Sequence, residues 1–347
     1  MKEKVLFFSL KHPLLYILSL AVVLKVLAVI FTDGWITDGD FNYYYIPSSW
    51  MANPWIVYIS RLLLGAFSLL IITIAYRITK IIADKTTALE IATFGALLWG
   101  VPYVTVHPFE GVVALPFILY GTLLIIKQHN LLDSDEIDKF HRTSFIIAGF
   151  CLGLGFAVYY NSLIYYIGIL ITLFILKNWK GALMTLIGYV VAVGITQTVV
   201  DLVVYHKPFV AMMRFFSDFS SYFDWVLGLE YNIDMVVLFL LLVLVPPMSL
   251  ILIFGFFSVF RKYILLVLPT LLTLLYAIAT LHDLDILLLA VPTYYIAGFV
   301  GWKEFYKKSQ FWGRNYWLVL ICYLLFAVLN MGTLFVSFIG NLTSFFN

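Results

Sequence analysis

The chain has 347 residues, 63% of them apolar or aromatic and only 12% charged, with a formal net charge of +2. A soluble protein carries about 25% charged residues, and a soluble globule could not cover this much apolar surface. Composition therefore excludes a soluble enzyme, a disordered chain and a nucleic-acid binder, and leaves a polytopic membrane protein.

A helical span needs about 20 apolar residues. The apolar runs predict eleven spans: 13–32, 55–76, 87–104, 109–126, 143–160, 162–176, 181–201, 235–257, 263–281, 285–302 and 316–337. The expected fold is all-α, a polytopic transmembrane helical bundle that forms one integral membrane domain over 1–347. Pro13 opens the first run and Trp55 the second. Lys2, Lys4 and Lys11 give the first run a basic start like that of a signal peptide. The run is long and no small-x-small cleavage site follows, so it reads as an uncleaved anchor. In the fifth run Gly149, Gly153 and Gly155 follow small-xxx-small spacing, which predicts a helix-packing face. Pro246 and Pro247 should kink the eighth. Cys151 and Cys322 lie in apolar runs and read as small packing residues.

Charge sets the expected orientation. With the N-terminus in the cytoplasm and the C-terminus outside, only Lys207 and Arg214 of the 21 basic residues fall in outside segments. Lys25 and Arg61 fall within spans, and all the others lie inside, as the positive-inside rule demands. Lys25 is near an outer end and is expected to snorkel. Most acids fall outside, among them Asp33, Asp38, Asp40, Glu110, Asp201, Asp283 and Asp285. Acids contribute little to topology, so an acid-rich outer face points to a site there. Two long outer segments, 33–54 and 202–234, would form its roof. The second alternates aromatics with charges and reads as a helix lying in the interface.

Five groups of residues carry candidate chemistry. Asp38-Gly39-Asp40 follows the first span; its two carboxylates suit a general base or a cation, and Tyr44 just beyond suits stacking on a sugar ring. If any metal is held, Asp38 and Asp40 would hold it; none is expected to be required. The bland alternative is an Asp-Gly turn with interfacial tyrosines. His107-Pro108-Phe109-Glu110 forms the next outer hairpin, where Glu110 also suits a helix N-terminus. Asp201 stands with His206, Lys207 and Arg214, and the two outer cations suit a phosphate. Lipid-headgroup contact is the plainer role. His282-Asp283-Leu284-Asp285 is a tight outer turn. Arg61 lies inside a span, where a charge costs at least about 2.5–3.5 kcal/mol and usually faces a cavity.

These residues together resemble the GT-C membrane glycosyltransferases, in particular the mannosyltransferases related to the GPI-anchor and N-glycan alpha-mannosyltransferases, in a bacterial form. Asp38-Gly39-Asp40 stands where that family carries its acidic pair. Ile59-Ser60-Arg61 is similar to its Arg-led next span, and His107 to Glu110 to its short second outer loop. Val200-Asp201 through Tyr205, with Lys207-Pro208-Phe209, is similar to its "Asp, aromatic, Pro-Phe" segment. Tyr159 stands where the family often has an arginine, and the turn after His282 has none either.

The resemblance implies transfer of a sugar, expected to be mannose, from a polyprenyl-phosphate donor to an externally displayed acceptor such as a lipid-linked glycan. It implies a bacterial cytoplasmic membrane with the active face external, and membrane lipids, donor and acceptor as partners. Asp40 would be the general base, with Asp38 as orienting partner. Glu110 and His107 would position the acceptor. Lys207, Arg214 and His282 would neutralise the leaving phosphate, with Arg61, Tyr44, Tyr159 and Asp201 lining the site. The rival readings are an inactive paralogue serving as a membrane scaffold, and a secondary transporter or lipid flippase.

Overall fold

A computed structural model describes residues 12–31, 54–97, 105–106, 110–132, 142–217, 248–280, 284–308 and Ile321. The described residues are helical with short connections and contain no strand. The helices are α1 (Pro13–Phe31), α2 (Pro54–Ile82), α3 (Lys85–Leu97), α4 (Glu110–Leu132), α5 (Arg142–Val158), α6 (Leu163–Ile175), α7 (Trp179–Tyr205), α8 (Met248–Ser258), α9 (Ile264–Thr280) and α10 (Leu284–Lys308). A further short helix covers 210–217. Five described helices, α1, α2, α4, α7 and α10, are long and apolar enough to cross a membrane, and α5, α6 and α9 are shorter apolar helices. A membrane protein of all-helical class follows from these lengths, because in hydrocarbon each backbone N–H must find its partner within its own helix.

Several helices outrun the apolar runs that predict them. α2 was expected to end at 76 and continues through Arg77 and Lys80 to Ile82. α4 continues through Lys127 to Leu132, and α10 through Lys303 to Lys308. Hydropathy marks the part of a helix that lies in lipid. The backbone ladder does not stop at the lipid boundary, so it carries on into the polar layer. For the same reason α7 reaches Tyr205, and the outer segment expected from 202 begins after it. The expected kink at Pro246–Pro247 and the span 316–337, apart from Ile321, lie outside the described residues. Pro116, Pro269 and Pro292 do lie inside helices, a placement that membrane helices tolerate.

Burial ranks the helices. The span windows of α4 and α10 are 67% and 72% buried, against 28% for α1, α2 and α7, so α4 and α10 are central and the others peripheral. The main core gathers Leu115, Leu119, Phe145, Leu152, Phe156, Tyr165, Leu289 and Phe299. A smaller core of Ile17, Ala21, Ile72, Ala92 and Ala96 joins α1, α2 and α3.

Small residues set the closest contacts. A Cβ at Gly149 would collide with the Thr185 carbonyl, and one at Gly188 with the Ile146 carbonyl, so α5 and α7 touch backbone to backbone. Gly153 lies on the same contact, against Tyr189 and Ala192. Gly155 does not, since it faces Ile118 of α4. The predicted single glycine face is thus two faces, which lets α5 pack closely on both sides. Gly255, Gly298 and Gly301 join α8 to α10 in the same way. Between helices, the Thr270 hydroxyl bonds to that of Thr293 at 2.7 Å, and the Thr122 and Tyr165 hydroxyls lie 3.3 Å apart.

The two ends of the bundle differ. At one end Lys262 pairs with Glu304 at 2.5 Å and Lys303 with Glu90 at 2.6 Å. The Tyr263 hydroxyl donates to the Ile82 carbonyl at 2.7 Å, tying α9 to the end of α2. All of these residues come from segments expected on one side of the membrane or at its margin. At the opposite end a Cβ at Gly111 would lie 2.5 Å from the Asp285 carbonyl, so the start of α4 abuts the start of α10. Both of those residues were expected on the other side.

Candidate functional site

Asp38, Asp40, Tyr44, His107 and His282 lie outside the described residues. Among the described residues no group of three or more His, Cys, Asp or Glu side chains could hold a metal ion. The remaining site residues, Arg61, Glu110, Tyr159, Asp201, Lys207 and Arg214, fall at the end of the bundle where α4 and α10 begin.

Arg61 is 1% exposed. Its Nε donates to the Val106 carbonyl at 3.3 Å and its Nη2 to the Ala28 carbonyl at 3.4 Å. Lys25 reaches the same place. Its ammonium donates to the Ser68 hydroxyl at 2.7 Å and to the Thr105 hydroxyl. Lys25 is only 4% exposed, so it does not snorkel outward as expected. The Ser68 and Thr105 hydroxyls hold its ammonium inside the bundle instead. Arg61, Gly65 and Ser68 are spaced four and three residues apart and share one face of α2.

Glu110 is the first residue of α4, where a carboxylate favours the helix dipole. Val106, whose carbonyl accepts from Arg61, is four residues earlier, so Glu110 stands within about 14 Å of it by chain length alone. The adjacent Gly111 lies against Asp285, which brings the outer hairpin of α4 to the turn between α9 and α10.

Asp201 is fully buried near the end of α7. Its Oδ2 accepts from the Ala211 N–H at 3.1 Å, so it serves the N-terminal turn of the 210–217 helix. Its Oδ1 is buried and has no hydrogen-bond partner among the described residues. One turn below it, Gln197 accepts from the Tyr160 hydroxyl at 2.8 Å. The Tyr160 ring lies 5.2 Å from that of Phe215, and Phe156 lies 5.1 Å from Tyr160. A carboxylate, an amide and aromatic faces therefore meet where α5, α7 and the short helix join.

Tyr159 is 5% exposed and has an extended backbone at the break between α5 and α6. Its hydroxyl accepts from Asn161 Nδ2 at 3.3 Å, and Asn161 Oδ1 accepts from the Tyr276 hydroxyl at 3.2 Å. This polar chain links the break to α9.

Lys207 and Arg214 are exposed. The Arg214 guanidinium sits 5.2 Å above the Tyr205 ring. Lys207 follows His206, the left-handed cap of α7 with φ 55°. The buried cations at this end of the described structure are instead Lys25 and Arg61.

Sequence reasoning missed a second feature. Tyr166 and Tyr189 stack at 3.8 Å with planes 2° apart. Both hydroxyls, and that of Ser162 one turn from Tyr166, are buried without a hydrogen-bond partner among the described residues. Tyrosines inside apolar runs were the only available signal, and their pairing spans two helices.

No known family model matches this chain, and neither a curated protein nor a solved structure is similar to it.

Proposed function

We propose that the chain is an integral membrane glycosyltransferase of the GT-C type. It moves a sugar, mannose in the first instance, from a polyprenyl-phosphate donor to an externally displayed acceptor such as a lipid-linked glycan. The observation that carries the reading is the burial of ionisable groups toward one end of the bundle. Lys25 and Arg61 lie buried between α1 and α2, Asp201 lies buried near the end of α7, and Glu110 opens α4. Such groups inside a membrane protein are costly and are by default functional. The Asp38-Gly39-Asp40 motif follows directly on α1, which carries Lys25 into this end.

The chemistry needs opposite charges on opposite sides. A carboxylate takes the proton from the acceptor hydroxyl, and cations offset the charge that grows on the leaving phosphate. In this reading Asp40 is the base and Asp38 orients the acceptor. The proposed setting is a bacterial cytoplasmic membrane, with this end facing outward.

The test is sugar transfer in proteoliposomes from polyprenyl-phosphate mannose. Asp40→Asn is expected to lower the rate by about 10²-fold or more, and Asp38→Asn by less. Unchanged transfer in both variants sinks the assignment. A transporter or lipid flippase is the second reading, favoured by the burial of Lys25 and Arg61 within spans. Proton- or sodium-driven uptake into vesicles, without transfer, would select it.

A further inference from the structure

Lys25 is a buried cation with no ion pair among the described residues. It is 4% exposed, and its acceptors are two neutral hydroxyls, those of Ser68 and Thr105. The described ion pairs, Lys262–Glu304 and Lys303–Glu90, do not involve it. An ammonium has three donor directions. Two are taken by hydroxyls, and neither hydroxyl offsets the positive charge. Burial of an ion without its counter-charge is strongly unfavourable.

The position is built to hold that ammonium. The Ser68 hydroxyl donates to the Gly65 carbonyl at 2.8 Å, which leaves its lone pairs free to accept from Lys25. A second cation reaches the same stretch of chain. Arg61 donates to Val106, the neighbour of Thr105, and to Ala28, one turn along α1 from Lys25. Two like charges from different helices thus converge on one short stretch of backbone. An anion with several oxygens satisfies such a pair best, since the ammonium and the guanidinium fork can bind different oxygens of one phosphate.

We propose that Lys25 and Arg61 form a binding site for the phosphate of a membrane-borne phosphate ester. The proposal rests on the transferase reading for its purpose, and it moves the phosphate from the exposed Lys207 and Arg214 to the seam between α1 and α2. The depth of the site favours an ester carried on a lipid over free phosphate. Lys25 is six residues from the end of α1 and Arg61 seven from the start of α2, so both lie about 10 Å below the helix ends. The neighbouring faces, with Val22 and Val26 on α1 and Ile59 and Leu62 on α2, are exposed and apolar. An isoprenoid tail can lie along them while its phosphate reaches inward.

The experiment measures binding of farnesyl phosphate to the purified full chain in nanodiscs, without any transfer. Farnesol and inorganic phosphate are the comparators. The expected result is tight binding of farnesyl phosphate, weaker by at least tenfold in Lys25→Met and largely restored in Lys25→Arg. Farnesol and inorganic phosphate should each bind at least tenfold more weakly than farnesyl phosphate. Without ligand, Lys25→Met should keep or raise the thermal midpoint, because an uncompensated buried charge has been replaced by an apolar chain of similar length. Equal binding of farnesyl phosphate by Lys25→Met, or of farnesol by the wild type, overturns the site. Equal binding of inorganic phosphate overturns its lipid-borne occupant. A large fall in the midpoint of ligand-free Lys25→Met makes the cation structural and overturns the proposal as well. Lys25-dependent binding with no transfer would remove the enzyme reading and leave the site standing, whereas transfer with Lys25-independent binding would do the reverse.

Discussion

Two ion pairs at the end of the bundle opposite the candidate site show how position decides what a charge is worth. Lys262 and Glu304 meet at 2.5 Å, but their side chains are 58% and 37% exposed. Lys303 and Glu90 meet at 2.6 Å with side chains 13% and 24% exposed, and Lys303 also donates to the Thr87 hydroxyl at 3.0 Å. The Lys262 ammonium is held above its ordinary range, chiefly by its hydrogen bond to Glu304. A raised cation pKa stabilises the fold fully below the unfolded value, about 10.4, and the contribution fades as pH rises through the folded one. Water screens so exposed a pair, so Lys262→Ala should cost no more than about 1 kcal/mol at pH 7. The difference from wild type should shrink as pH is taken above the lysine range. Lys303→Ala strands a half-buried carboxylate and should cost about 1–3 kcal/mol. Chemical denaturation of the two variants side by side checks the order.

At the scale of elements, the contact between α5 and α7 is a close seam, backbone against backbone. Lipid tails are as apolar as leucine, so helices in a membrane associate through close packing rather than through exclusion from water. Gly149 and Gly188 permit that approach because a Cβ at either would occupy the space of a carbonyl on the other helix. Gly149→Val should therefore force the helices apart and cost about 1–3 kcal/mol or more. Gly194 has nothing within 4 Å of where its Cβ would stand, so Gly194→Ala should be neutral or slightly stabilising. Thermal midpoints in one detergent compare the two. The spacing of Gly149 and Gly153 made this seam legible in the sequence, whereas the turning of Gly155 toward α4 depends on which helix lies on its other side. The helices themselves were legible because hydropathy marks lipid-embedded backbone. Their polar ends were not, since nothing in a run of Lys, Arg and Thr says where the backbone ladder stops.

For the whole molecule, the segments expected on each side of the membrane gather at opposite ends of the bundle. Lys262, Tyr263, Lys303 and Glu90 meet at one end, and Gly111 meets Asp285 at the other. Alternating spans predict such a separation. Which end faces the cytoplasm is a separate expectation that rests on the basic residues. Lys207→Cys and Lys262→Cys, in a background without the native cysteines, should be labelled by an impermeant thiol reagent from opposite sides, Lys207 from the outside. Labelling of both from one side would overturn the alternation. A charge within an apolar run singled out Arg61, and its place beside the outer cations singled out Asp201. The partners of Lys25 could not be read, because Ser68 and Thr105 lie 43 and 80 residues away along the chain.

The break at Tyr159 has a consequence for the bilayer. α6 has thirteen residues, preceded by a three-residue 3-10 turn. At 1.5 Å per residue the helix and turn cover about 24 Å, short of the roughly 30 Å of a hydrocarbon core. If α6 spans the membrane, local thinning would meet that mismatch, at a modest cost per ångström. The lipid–water boundary would then be drawn down beside this helix toward Tyr159, Asn161 and the Tyr160–Gln197 pair. A hydrophilic head anchored to a lipid could approach these groups sideways along that depression without ever leaving the polar layer of the leaflet.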